Sequence, residues 1–100
     1  MEPLMSEQPP ADLPMTVTIP ESVAWQQFAD EVVLIDVNAG EYHNLNDVGS
    51  RMWQALEQCD DVAAAYDRLL ATYEVDEARL RGDLAAFIEE LVAKGLLVTP

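Results

Sequence analysis

The spacing of apolar residues divides this chain into an extended half and a helical half, with the change of period near Leu45. In the first half, β-branched and aromatic residues come in short runs bounded by turn formers: Val17 and Ile19, Val23 to Phe28, Val32 to Val37, and Glu41 to Leu45. These runs predict one antiparallel meander. Asp30 and Glu31 sit where one run must reverse into the next, and Asn38-Ala39-Gly40 suits a three-residue hairpin whose glycine accepts positive φ. The stretch Val32-Val33-Leu34-Ile35 is apolar without alternation, which predicts a central strand with both faces largely covered. Glu41 to Leu45 is then left at an edge of the sheet.

After Leu45 the period becomes helical. Asn46 or Asp47 can cap a first helix in which Val48, Met52, Leu56 and Cys59 recur on one face. Asp60 and Asp61 restart the chain, and Val62, Tyr66, Leu69, Leu70 and Tyr73 give a second helix their three- and four-residue spacing. Asp76 can cap a third and longest helix, about Glu77 to Lys94, with Leu80, Leu84, Phe87, Ile88 and Leu91 on its apolar side. Lys94 at the negative end of the dipole and Gly95 beyond it mark the stop. Gly82 interrupts that helix at a cost of about 1 kcal/mol, so it lies in the loose first turns or beneath a close neighbour. Residues 1–14, with four prolines and few large apolar groups, predict a flexible tail ahead of a single domain spanning 15–100.

Charge narrows the function classes. Nineteen acidic residues face five basic ones, a formal net charge of −14, and every basic residue lies at or beyond Arg51. Binding to a phosphate backbone or an anionic membrane surface requires clustered Lys and Arg, so neither nucleic acid nor membrane is an expected partner. A guest carrying Lys or Arg is favoured by the field. No apolar run approaches the roughly 20 residues of a membrane span, and the acidic start is the reverse of an export signal. With the lone Cys59, these features predict a cytoplasmic location.

Candidate chemistry is sparse. The only histidine, His43, and the only cysteine, Cys59, fall in different predicted elements, and together they cannot supply a zinc tetrad. The acid pairs Asp60-Asp61 and Glu89-Glu90 sit at helix starts and surfaces, and the glycines at 40, 49, 82 and 95 stand alone rather than forming a phosphate loop. The expectation is a binding module without catalysis or cofactor.

Val33-Leu34-Ile35-Asp36, then Gly40, Tyr42, Leu45-Asn46, Gly49 and Trp53, then Tyr73, Val75, Asp83 and Leu91 with the Gly95-Leu96-Leu97 ending, together resemble the PqqD-like family over roughly residues 16–98. Members recognise the leader segments of ribosomally made peptides so that enzymes can modify the attached core. As a stand-alone domain, the chain is most similar to the leader-binding proteins of lasso-peptide pathways. One departure is Gln58-Cys59-Asp60-Asp61, where members often carry a glycine before the second helix.

The resemblance implies an α+β, winged-helix-like fold: a three-stranded antiparallel meander followed by three helices. It implies a leader added as a strand beside the third strand and lying against the third helix, delivered to a separate leader peptidase and a cyclase. The edge residues are then Glu41, Tyr42, His43, Asn44 and Leu45, with Tyr42, Leu45 and Trp53 also serving the fold. For the groove wall the third helix offers Leu80, Asp83, Leu84, Phe87 and Glu90. Leu80, Leu84 and Phe87 are equally explained as core, and the rotation of the helix decides. An open edge also invites a homodimer. Two rivals stand beside this reading: the quinone-cofactor version of the same family, and a winged-helix transcriptional regulator, which the lack of basic residues opposes.

Overall fold

In the computed structural model, which describes residues 13–99, three strands precede three helices. The strands are β1 (Val23–Phe28), β2 (Glu31–Asp36) and β3 (Glu41–Asn44), paired antiparallel in the order β1-β2-β3. Both turns form within a residue of where the sequence places them: the first is Ala29-Asp30, with Glu31 already in β2, and the second spans four residues, 37–40, rather than three. Gly40 takes φ +69° and donates its N–H to the Asp36 carbonyl at 2.7 Å. Between β1 and β2, Ala29 occupies φ +55°, a conformation its Cβ disfavours.

The helices are α1 (Asp47–Gln58), α2 (Val62–Thr72) and α3 (Glu77–Ala93). Each begins on a side-chain cap. Asn46 Oδ1 accepts from Gly49 N at 2.7 Å, Asp61 Oδ1 from Ala64 N at 2.8 Å, and Asp76 Oδ2 from Arg79 N at 3.2 Å. All three helices lie on one side of the sheet. Their apolar stripes enclose Val32 and Leu34, and Trp53 of α1 is fully buried with its ring edge-on to Trp25 of β1, centroids 6.3 Å apart.

Two expectations are corrected, and one pair of alternatives is narrowed. Val17 and Ile19 do not add a strand to the meander: Thr18 instead exchanges two 2.8 Å hydrogen bonds with Val98, tying the start of the fold to its end. β2 is central, but only one of its faces is covered. Val32 and Leu34 are buried under the helices, whereas Val33 and Ile35 on the other face are half-exposed, because no further layer packs there among the described residues. Gly82 has open space around it, so no close neighbour explains it. The flexible tail falls mostly at 1–12, outside the described residues, while Leu13 packs half-buried against the core.

Ser50 is the one buried polar residue among the described core. The last rung between β2 and β3 is closed on one side directly, Leu45 N to Val32 O at 2.9 Å. On the other side the Ser50 hydroxyl is inserted, accepting from Val32 N at 2.8 Å and donating to Leu45 O at 3.2 Å. A single α1 side chain therefore fixes the end of β3.

Candidate functional site

β3 is short, and its outer edge is unpaired among the described residues. Because Leu45 N–H points into the ladder, alternation turns Glu41 and His43 inward as well, leaving the N–H and C=O groups of Tyr42 and Asn44 directed to the free edge. Beside this edge runs α3, and between them lies a cleft of about 420 Å³. Tyr42, His43, Asn44, Leu45 and Asn46 form one wall. Phe87, Glu90, Leu91 and Lys94 form the other, a stripe at i, i+3, i+4 and i+7 that puts all four on one helix face.

Gly49 lines the floor. A Cβ there would lie 3.2 Å from Asn46 Oδ1, 3.3 Å from Phe87 Cε1 and 3.5 Å from Leu45 Cβ. A glycine at this point lets α1, α3 and β3 converge and keeps the cleft open. The lining is amphipathic: Leu45, Phe87 and Leu91 offer apolar contact, while Glu90 and Lys94 pair at 3.0 Å on the rim. His43 faces the helices opposite buried Leu34. Its Nε2 is enclosed without a hydrogen-bond partner among the described residues, and Glu41 Oε1 lies 3.5 Å away, a long contact.

The sequence-predicted site residues thus divide. Tyr42, His43, Asn44, Leu45, Phe87 and Glu90 meet around the cleft, and Glu41 stands exposed at the start of the same edge. Leu80 and Leu84 do not reach it. At 4% and 0% exposed they face inward, because α3 is rotated so that Leu80, Leu84, Ile88 and Leu91 form its core stripe. Asp83 continues the Phe87 stripe one turn earlier, past the end of the cleft, with Arg79 3.8 Å away. Asn46, Gly49, Leu91 and Lys94 complete the lining and were not singled out as contacts. The i+4 spacing of Lys94 from Glu90, and of Leu91 from Phe87, was the available signal.

Among the described residues, no group of three or more His, Cys, Asp and Glu could hold a metal ion, and no helix is long and apolar enough to cross a membrane. A family model described as Coenzyme PQQ synthesis protein D (PqqD) matches residues 31–97, which takes in β2, β3, all three helices and every residue of the cleft. The chain belongs to the PqqD family.

Two solved structures are similar to this PqqD-family chain. One, described as TbiB1 in complex with the TbiA(beta) leader peptide, has a TM-score of 0.76 and 36% identity, over 80% of this chain and 93% of that one. The other, lasso peptide synthetase B1 complexed with the leader peptide, has a TM-score of 0.73 and 27% identity, over 82% and 96%. Among curated proteins, none matches the chain.

Proposed function

We propose that this PqqD-family chain is a non-catalytic recognition element that binds the leader segment of a ribosomally synthesised precursor peptide, a lasso-peptide precursor, in the cytoplasm. The leader adds as a fourth strand beside β3, lies against α3, and is presented to a separate leader peptidase and a cyclase. The observation that carries this reading is the coincidence of a free strand edge with a helix-walled cleft. The β1 edge is also free among the described residues, but the helix-walled cleft lies beside β3.

The physical logic is β-augmentation. Backbone pairing with Tyr42 and Asn44 supplies sequence-independent affinity, and alternate side chains of the guest enter the cleft between Leu45, Phe87 and Leu91, where selectivity resides. Glu41, and Glu90 beside Lys94, place charge at the rim, and the acidic field favours a guest with basic residues. His43 adds a partly buried imidazole to the β3 wall beside the apolar floor. In the absence of a guest, the same edge is open to a second copy of the chain. The lasso reading is preferred to the quinone-cofactor one because both similar solved structures are leader-peptide complexes and one of them is a lasso peptide synthetase B1.

The test is an anisotropy titration of a labelled leader peptide of about 15–20 residues, the reach of an extended chain along the sheet and helix. Binding tighter than about 100 μM is expected, and none at that concentration sinks the proposal. Asn44→Pro removes an edge-directed N–H while leaving the β2 ladder intact, so loss of binding in a folded protein places the guest on β3.

A further inference from the structure

An antiparallel sheet covered on one face by helices normally meets water with a polar second face. This one does not. Alternation puts the cross-strand rows Ala24–Ile35–Tyr42 and Gln26–Val33–Asn44 on the uncovered side. Phe28 extends the first strand of this face, and Val37 continues β2 where its N–H bonds to Ser22 O at 2.9 Å. Phe28, Val37 and Tyr42 are 55%, 63% and 71% exposed, and no charged side chain interrupts the two rows. In a chain that is 24% charged, so large an uncharged face marks an interaction surface rather than a solvated one.

The surroundings indicate what covers it. Glu21, Asp30 and Glu31 stand at the strand ends around the face, and the nearest basic residue in sequence, Arg51, lies on α1 across the sheet. An apolar centre with an acidic rim has the layout of a protein interface. Two copies meeting through this face would oppose like rims, each on a chain of net charge −14. The complementary partner is a different protein, with an apolar patch bordered by Lys and Arg.

The face is also continuous with the cleft, because Tyr42 belongs to both. A strand added beside β3 lengthens each row by one guest residue, opposite Tyr42 and opposite Asn44. We infer that the uncovered sheet face docks a basic-rimmed protein partner, and that a bound guest strand enlarges this surface so that the loaded chain is preferred. The second clause rests on the leader-binding reading above; the first does not.

The probe is the purified leader peptidase acting on the same precursor, with the full chain immobilised for interferometry, with and without saturating leader. Expected results are tighter binding to the loaded chain, weakening as salt rises, and a loss of at least about tenfold in Ile35→Glu, a central position. The double variant Phe28→Ser/Val37→Ser changes only exposed side chains, so it keeps the test valid if Ile35→Glu misfolds, and it loses binding too. Val75→Ser, 42% exposed and away from the sheet, serves as the control and binds as wild type. Leader affinity stays within about twofold in all folded variants, since these residues contribute no outward backbone group to β3. Face variants that bind the peptidase like the control overturn the inference. So does a dimer of the free chain, seen by sedimentation, that Ile35→Glu dissolves, since the face would then belong to a second copy. If wild type binds no leader, the functional proposal fails, and the unloaded arm alone decides whether the face docks a partner.

Discussion

Replacing Ser50 by alanine tests the inserted hydroxyl that closes the sheet. The residue is fully buried, and its Oγ holds two groups at once, Val32 N at 2.8 Å and Leu45 O at 3.2 Å. Removing it leaves a buried N–H and a buried C=O facing each other across a gap shaped for an oxygen atom. An unsatisfied buried donor costs roughly 1–3 kcal/mol, and the carbonyl keeps a second lone pair, so the total loss is about 2–3 kcal/mol. For a domain of this size, each 1 kcal/mol lowers the Tm by roughly 4–8 °C, so the melting temperature should fall by about 10–20 °C. Urea unfolding followed by Trp fluorescence should show a lower midpoint with an unchanged slope, since the surface exposed on unfolding is the same. Leader affinity should fall several-fold as well, because Leu45 borders the cleft and its anchor is gone. A stability loss under about 0.5 kcal/mol would refute the reasoning, because it would mean that the rung closes directly or that water enters without penalty.

Gly49→Ala inserts a methyl 3.3 Å from Phe87 Cε1, so the ring must shift toward the cleft: leader binding should weaken about tenfold by anisotropy, while stability stays within about 1 kcal/mol because helix propensity offsets the crowding. Gly82→Ala meets nothing within 4 Å and lies inside α3, so it should raise stability by about 0.5–1 kcal/mol in thermal melts without altering binding. Burial pushes the Tyr73 phenol above its ordinary value, against the opposing pull of the Arg51 guanidinium over its ring, and its hydroxyl has no partner among the described residues. A raised folded-state value means stability held below about pH 10 and lost as pH rises through the folded-state value; Tyr73→Phe should abolish Tyr73's share of that loss and leave neutral-pH stability unchanged or slightly higher, as read by denaturant midpoints at pH 7 and above pH 10.

Much of the architecture is set by local chemistry and was legible without coordinates. Capping requires a particular kind of side chain, so Asn46-Asp47, Asp60-Asp61 and Asp76 announce the three helix starts, and the structure selects Asn46 and Asp61 from the two pairs. A run of β-branched residues between turn formers names β2 and makes it central, and this leaves β3 at an edge by exclusion. The edge half of the candidate site, Tyr42 to Leu45, follows from that ordering.

What the sequence could not decide was orientation and what packs where. Leu80, Leu84 and Phe87 share one apolar pattern, yet the rotation of α3 sends the first two into the core and the third to the cleft. Periodicity defines a stripe but not which neighbour it meets. Val33 and Ile35 read as buried because hydrophobicity reports a preference for cover, and whether a second layer exists is a tertiary fact. Thr18 pairs with Val98 and Ser50 spans β2 and β3 across distances no local pattern encodes. The sequence alone therefore determined the elements, their order and the free edge, through propensities and caps that act over a few residues. Only the packed structure turned that edge into a cleft, because Gly49 and the Phe87 to Lys94 stripe come together from separate helices.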